Sequence, residues 1–533
     1  MNIVPFSGSI LATNDQGALY MKLLGYFIQH IIPISLLVAA GMVIYSAATP
    51  PPSSRVDGIG VDLLSSPPLT PQAVEGQLTA IQQSGVEYVR VELNWSLIEA
   101  TQDVYDWSSV MPLDLFFSSA QARKLMSVAV VTGFPTYFSS SGFSLDQQSI
   151  GVRWEKFIQA AVSHFGDQVN YWEIGDQINS TNGARSLAQS DPVLYAKMLK
   201  AASKIIKNTN PNDEIWMGSL VSATADNCAV NPLSFLLEVN AAKAWNSADA
   251  VTYQPRRGAV PPESPSAFPV NQSCVSSMAS GSASLSAEVQ SVQDLARQLG
   301  GKPVYITGLS WNPEELVSLQ ANRAIDINTL HADLLVRSSV MLTGGNSVPL
   351  VFWQVDPLYQ LNAMAGLTDL SDSIVKSKSL GQIQGQTGSV QEYRFSNGAD
   401  QAIFAWRTQD GDAPQPVSFS NLNTKTMTAF STDVLGLKKD YGISIDVDDA
   451  GSTRLMLNER PVILIGKTGS WDDQIKAGVI NQVDLWRLEL QNLVADGLGR
   501  AKAALLQWLE GIFTEAKENA IDWGKDKIKD ALN

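Results

Sequence analysis

Two strand-like stretches end in residues that could take part in chemistry, but they carry few of the groups that acid–base catalysis needs. The first ends in Asp176 and Gln177, and the second ends in Thr307 and Gly308. The Gln177 amide donates and accepts hydrogen bonds but does not transfer a proton near neutral pH, and Gly308 has no side chain. A reaction that needs a carboxylic acid at one position and a carboxylate at the other is therefore not expected.

Both stretches resemble strand ends of the clan A retaining glycoside hydrolases. Residues 170–179 read Asn-Tyr-Trp-Glu-Ile-Gly-Asp-Gln-Ile-Asn and resemble a strand running into Asn-Glu-Pro, in which Gln177 replaces the acid/base Glu. Residues 302–311 read Lys-Pro-Val-Tyr-Ile-Thr-Gly-Leu-Ser-Trp and resemble the end where Thr-Glu supplies the nucleophile, which Gly308 replaces. Retaining hydrolysis uses two carboxyl groups about 5–5.5 Å apart. The resemblance implies a pseudoenzyme that lacks both glutamates, with no acid replacing the lost nucleophile.

The resemblance spans about residues 56–385 and implies further site residues. In the family, the arginine of the second strand holds the nucleophile's carboxylate; here it is Arg90, which either pairs with a nearby acid such as Glu173 or contacts a ligand. Four tryptophans either stack on sugar rings or pack in the core, and the one on the eighth strand is implied to form the floor of the sugar site. The candidate ligand-binding residues are Arg90, Trp95, Trp172, Asp176, Gln177, Trp311 and Trp353.

The order of apolar runs predicts the fold. Across residues 56–385, eight strand-like runs alternate with helical patterns, which indicates a (β/α)8 TIM barrel of the α/β class. Over 386–468 the runs become short and alternating, with turns between them, which favours a small β-sandwich. A chain of 533 residues is expected to form more than one domain.

An uncharged apolar segment precedes the barrel. An N-terminal segment, 1–22, leads into residues 23–48, which are long enough to cross a bilayer as a transmembrane helix. Residues 49–55 form a proline-rich linker. A cleaved export signal is the competing interpretation, because Ser46-Ala47-Ala48 would suit a signal peptidase. We expect a single-pass membrane protein with most of the chain outside the cytoplasm.

The last segment, 469–533, is predicted to be an amphipathic helical tail. Apolar residues that include Trp486 and Trp508 recur at helical spacing, with charges opposite them. This face would dock on the chain's own domains, pair with a partner or another copy, or lie on a membrane. Its polar face is rich in Asp and Glu, unlike helices that bind anionic lipid. We therefore favour contact with protein.

Charge and rare residues limit the partners and cofactors. With 37 basic and 52 acidic residues the net charge is −15, which disfavours nucleic acid. Three histidines are too few for a histidine-rich zinc site, and we expect neither metal nor cofactor. Cys228 and Cys274 fall in successive loops of one predicted barrel face, so they form either a disulfide or two free thiols.

Three functions follow from these observations. The first is a non-enzymatic, membrane-anchored structural or assembly subunit of a membrane or cell-surface complex, which accounts for the lost glutamates, the anchor and the tail together. The second is a non-hydrolysing glycan-binding protein. The third is an active glycoside hydrolase with an atypical mechanism. Fold alone does not choose among them.

Overall fold

A computed structural model describes residues 56–467 with interruptions, the longest at 138–146, 181–189, 267–282 and 432–442. The N-terminal segments 1–22, 23–48 and 49–55 and the tail 469–533 lie outside the described residues, as do Cys228 and Cys274. Within the described part of the chain, no helix combines the length and the apolar character needed to span a membrane.

Eight parallel strands close into a barrel, which confirms the predicted TIM barrel. The first strand closes the ring because it pairs in parallel with both the second and the eighth. The strands are β1 Gly58–Asp62, β2 Tyr88–Asn94, β3 Met126–Thr132, β4 Tyr171–Ile174, β5 Glu214–Val221, β6 Ala250–Gln254, β7 Val304–Leu309 and β8 Leu350–Gln354.

Helices follow the strands along the barrel. Several begin with a side chain that caps the backbone and a proline directly after it, a sequence signal for helix starts; Asp191–Pro192 and Asn312–Pro313 are examples. The described α-helices are α1 Pro71–Gln83, α2 Trp95–Ile98, α3 Leu113–Ala122, α4 Gln147–Phe165, α5 Pro192–Thr209, α6 Pro232–Ala241, α7 Leu285–Gln298, α8 Pro313–Gln320, α9 Ile327–Val340 and α10 Leu361–Ile374.

Aromatic rings fill the N-terminal half of the barrel. Trp216 contacts Tyr171, Tyr305 and Phe352 at ring-centroid distances of 5.4, 4.9 and 6.1 Å. Gly60 faces this layer, and a Cβ there would lie 2.3 Å from the Phe352 ring, so only glycine fits. The packed layer closes the barrel from below and leaves the strands' C-terminal ends for polar residues.

Antiparallel sheets follow the barrel, as expected for a sandwich-like second domain. The strands are β9 Lys378–Gln384, β10 Val390–Ser396, β11 Asp400–Arg407, β12 Gln415–Phe419, β13 Thr426–Ser431, β14 Ile443–Asp446, β15 Thr453–Leu457 and β16 Val462–Lys467. Six of them form one sheet in the order β14-β13-β16-β11-β10-β9, and β12 pairs with β15. β9 lies before the predicted boundary at 385/386 and pairs with β10, so this sheet begins at Lys378.

Polar contacts join the sheet to the barrel. Glu263, in the loop after β6, accepts hydrogen bonds from Arg337 Nε on α9 at 3.0 Å and from Trp406 Nε1 on β11 at 2.6 Å. Arg460 Nε donates to Asp333 Oδ2 on α9 at 2.8 Å. The sheet thus braces the barrel on the side of α9.

A buried histidine on α9 gives the fold a predicted sensitivity to acid. Burial lowers the pKa of His331 to about 4, so the unfolded chain takes up a proton below pH 6.5 that the folded chain does not. Lowering the pH from about 6.5 to about 4 should therefore cost about 3 kcal/mol of unfolding free energy through this group. Urea unfolding of His331→Leu should show a smaller loss over this range than the wild type.

The matched control is His164→Leu, because His164 is partly exposed and contacts Asp114 at the surface. It should leave the acid sensitivity nearly unchanged. If His331→Leu unfolds in acid as steeply as the wild type, the buried imidazole is not the source of the effect.

Candidate active site at the mouth of the barrel

One buried arginine connects three carboxylates at the C-terminal end of the barrel. Arg90, on β2, donates from Nε and Nη2 to the two oxygens of Glu173 at 2.6 and 3.0 Å. Its Nη1 donates to Asp62 Oδ2 at 3.0 Å, and its Nη2 also donates to Asp176 Oδ1 at 2.9 Å. All four residues are at most 1% exposed. We call these four residues the Arg90 cluster.

The acids come from β1, which pairs with β2, and from β4, which β3 separates from β2. Glu173 lies within β4, while Asp62 ends β1 and Asp176 lies beyond the end of β4. Alternation along β1 brings Gly58, Gly60 and Asp62 to the same face of the strand. The two glycines leave room for the aromatic rings below, and the carboxylate of Asp62 lies at the mouth of the barrel.

Burial and ion pairing oppose each other in this cluster. Burial alone would lower the pKa of Arg90, but Glu173, Asp62 and Asp176 outweigh it, so the pKa lies well above its ordinary value. Burial raises the pKa of Glu173, although Arg90 and Thr252 act in the other direction. One guanidinium faces three acids, and the charge of Asp176 also raises the pKa of Glu173.

Hydroxyl and amide groups extend the cluster toward β5 and β6. Asp176 Oδ1 accepts from Ser219 Oγ at 2.7 Å and from Gln254 Nε2 at 2.6 Å. Gln177 Nε2 donates to Gln254 Oε1 at 3.3 Å, and the Gln177 backbone N–H donates to Ser219 Oγ at 3.1 Å. Asp176 and Gln177 are thereby part of one polar network.

The backbone at both replaced positions lies in the left-handed region. Gln177 has φ +50° and Gly308 has φ +71°. A Cβ at Gly308 would lie 3.1 Å from Gln254 Cδ and 3.4 Å from Asp62 Oδ2. A side chain at 308 would therefore be strained by the backbone and crowded by Gln254. Asp62, Gln254 and Gly308 fit one another as a set.

The four candidate tryptophans lie in the core, so the packing interpretation describes them. Trp95 stacks on Phe157 at 5.4 Å and donates to Glu99 at 2.7 Å. The other three are likewise hydrogen-bonded within the protein, and each is at most 3% exposed. The expectation that Trp353 on β8 forms the floor of the sugar site is corrected, because this buried side chain donates to Ser339 on α9. The remaining partners are Asp213 for Trp172, Val260 O for Trp311 and Ser339 for Trp353.

The sequence pointed to Arg90, Asp176, Gln177 and Gly308, and the structure brings them together. It also places Asp62, Ser219 and Gln254 in the site, which the sequence reasoning missed. Asp62 could have been found as an acid at the C-terminal end of the first strand, because the strands of a barrel end at its mouth. Among the described residues, no group of three His, Cys, Asp or Glu side chains is arranged to hold a metal ion.

No protein-family model matches the sequence, and no curated protein matches it. Solved structures do match. A family 39 glycoside hydrolase from the gut symbiont Bacteroides cellulosilyticus WH2 has a TM-score of 0.55 at 16% identity, with 77% of this chain and 81% of that one covered. A family 30 endoxylanase from Clostridium papyrosolvens C71 has a TM-score of 0.54 at 13% identity, with 78% and 97% covered. The barrel has the fold of clan A glycoside hydrolases.

A third structure, a family 30 subfamily 8 xylanase from Clostridium acetobutylicum, has a TM-score of 0.54 at 12% identity and covers 78% of this chain and 97% of its own. Because these glycoside hydrolase folds are those of enzymes, they overturn the expectation that this chain is not an enzyme. That expectation rested on Gln177, on Gly308 and on the belief that no acid replaces the lost nucleophile. The Asp62 carboxylate lies beside Gly308, with Oδ2 3.4 Å from the point where a Cβ would lie.

The Arg90 cluster should dominate the stability of the mouth. Arg90→Leu leaves buried acids without their counter-charge, which should lower the unfolding free energy by about 3 kcal/mol or more. Arg123→Leu is the control, because it removes an arginine whose partner Glu75 is 48% exposed, and it should cost about 1 kcal/mol or less. Urea unfolding near pH 7 measures both. Equal losses in the two variants would show that the cluster has no special weight.

Proposed function

We propose that this chain binds a glycan at the mouth of its barrel and hydrolyses glycosidic bonds with a carboxylate arrangement different from the resembled family's. The observation that carries this proposal is the Arg90 cluster, which supplies oriented carboxylates beside the two positions where the family has its glutamates. The glycoside hydrolase fold supports the substrate class. In barrels of this type, chemistry takes place where the strands end.

The partly exposed residues around the cluster suit a neutral, hydroxyl-rich ligand. Gln177, Ser310 and Gln354 are half-buried at the ends of β4, β7 and β8, and Ser310 Oγ donates to Gln354 Oε1 at 3.1 Å. Glu92, also half-buried, accepts from Thr132 Oγ1 at 2.6 Å. Amides and hydroxyls both donate and accept, as sugar hydroxyls do. The acids of the cluster would repel an anionic ligand.

Xylan-derived glycans are the first substrates to test, because two of the similar structures are described as xylanases. Gln177 cannot protonate a departing sugar oxygen, so turnover should depend strongly on how readily the leaving group departs as an anion. Dinitrophenyl xylosides should therefore be cleaved at least about 10²-fold faster than nitrophenyl or unsubstituted phenyl xylosides.

The matched variant is Gln177→Glu, which introduces a carboxyl group at the position of the family's acid. It should raise turnover of phenyl xylosides by about 10²-fold and change dinitrophenyl xyloside turnover much less, because that leaving group needs no proton. Spectrophotometric release of the phenols measures both rates. If the wild-type chain turns over no glycoside of the panel and binds no xylo-oligosaccharide in calorimetry, the proposed function is wrong.

The setting of this activity is proposed from the sequence. Residues 23–48 would anchor the barrel to a membrane, with its mouth outside the cytoplasm. A structure described as a conserved exported protein from Bacteroides fragilis, with a TM-score of 0.50 at 10% identity, supports an extracytoplasmic setting. The amphipathic tail, 470–533, would join the anchored enzyme to another copy or to a membrane protein, because large apolar faces are rarely left exposed.

Removing the tail should separate assembly from activity. A chain truncated after Gly469 should keep its fold and its turnover of dinitrophenyl xylosides, because the barrel and its sheet carry their own cores. It should lose self-association or co-purification with a membrane partner, as measured by light scattering and native purification. An intact chain that is monomeric and purifies alone, with a truncated chain that unfolds, would instead make the tail a support for its own domains.

A further inference from the structure

We propose that Asp62 is the catalytic nucleophile of this barrel, in place of the residue at 308. This inference rests on the proposed function and names the residue that would perform its central step. Asp62 reaches the site from β1, whereas Gly308 lies at the end of β7. The nucleophile would thus have moved to a different strand while serving the same part of the site.

Two separate contacts place the same Asp62 oxygen. Oδ2 lies 3.0 Å from Arg90 Nη1 and 3.4 Å from the point where a Cβ of Gly308 would lie. The other oxygen, Oδ1, accepts the backbone N–H of Leu64 at 3.0 Å. Both oxygens of the carboxylate are therefore held, and Oδ2 lies next to Gly308. A nucleophile must be fixed in this way to attack at short range.

The neighbouring acids are less suited to the role. Glu173 lies deeper, in the strand, with both oxygens on Arg90 and with Thr252 Oγ1 donating to Oε1 at 2.8 Å. Asp176 Oδ1 accepts from Arg90, Ser219 and Gln254 together. Such heavy donation weakens a carboxylate as a nucleophile. Both residues accept from the Arg90 guanidinium, which in turn donates to Asp62.

Gly308 is part of this arrangement. With φ +71° and Gln254 Cδ at 3.1 Å from an added Cβ, position 308 accommodates glycine best. A carboxylate on 308 would also crowd that of Asp62, because its Cβ alone comes within 3.4 Å of Oδ2. A carboxylate at Asp62 on β1 is therefore compatible with glycine at 308 on β7, where a larger residue would crowd it.

The reaction would follow two steps. An Asp62 oxygen attacks the anomeric carbon and forms an ester bond as the bond to the aglycone oxygen breaks. That oxygen keeps the bonding electrons, and an activated phenol leaves as phenolate without a proton. Water then attacks the same carbon, gives its proton to solvent, and releases the sugar and the Asp62 carboxylate.

Trapping the ester tests the inference. The wild-type protein is incubated with a dinitrophenyl 2-deoxy-2-fluoroxylobioside. Its fluorine slows both steps and its activated leaving group speeds only the first, so the ester accumulates and is mapped by peptide mass spectrometry. We expect one glycosyl adduct, on Asp62. Asp62→Asn should form no adduct and should lose at least about 10²-fold in dinitrophenyl xyloside turnover. Asp213→Asn, a buried acid that accepts from Trp172 at the other end of β4, should still be labelled.

Asp62→Glu distinguishes a catalytic role of Asp62 from a structural one, because it keeps the charge beside Arg90 and moves the carboxylate by one methylene. It should fold like the wild type by circular dichroism and yet lose about 10²-fold in turnover. An adduct on another residue, or wild-type turnover in Asp62→Asn, overturns the assignment of Asp62 while leaving the hydrolase proposal in place. Absence of both turnover and xylo-oligosaccharide binding in the wild type overturns both.

Discussion

The compensation of three buried carboxylates by one guanidinium is the constraint on which the mouth of this barrel depends. Arg90 contacts Glu173, Asp62 and Asp176 at 2.6–3.0 Å, and none of these side chains is more than 2% exposed. A buried charge without compensation costs several kcal/mol. The arginine therefore sets where each acid lies, and burial, which raises the pKa of Glu173, limits how much negative charge the cluster holds.

From this cluster the other features of the site follow in turn. Arg90 holds Asp62 next to Gly308. Asp176 accepts hydrogen bonds from Ser219 and Gln254. Gln254 accepts a hydrogen bond from Gln177 and limits the size of the side chain that position 308 can hold. Gln177, Gln254 and Asp176 are thus connected through hydrogen bonds. Under the proposed function, the same interactions that stabilise the mouth would orient a carboxylate for chemistry.

Much of the fold could be predicted from the sequence, because it depends on local patterns. Apolar runs such as that of β3 and helix starts such as Asp191–Pro192 are read along the chain. The boundary before Lys378 was harder, because β9 has few apolar residues and is identified by its pairing with β10. The anchor, the tail and the two cysteines stay predictions.

The site was only partly predictable, because it depends on which strands meet. Arg90 and Asp176 were found through their strand contexts. Asp62 lies 28 residues before Arg90 in the chain, and the parallel pairing of β1 with β2 brings the two together. The sequence also could not tell which way a strand tryptophan faces: Trp353 lies on β8 but contacts Ser339 on α9. Asp62 reaches the space near Gly308 from β1, and the residues around Gly308 in the chain do not indicate this.

The stereochemistry of the first product tests the central claim most directly. Proton NMR of a dinitrophenyl xyloside during its first turnovers shows which anomer of xylose is released before the anomers interconvert. A covalent ester on Asp62 requires two displacements at the anomeric carbon, so the account predicts retention of configuration. Release of the inverted anomer would mean that water attacks the substrate directly, and it would contradict a nucleophilic carboxylate at the mouth of this barrel.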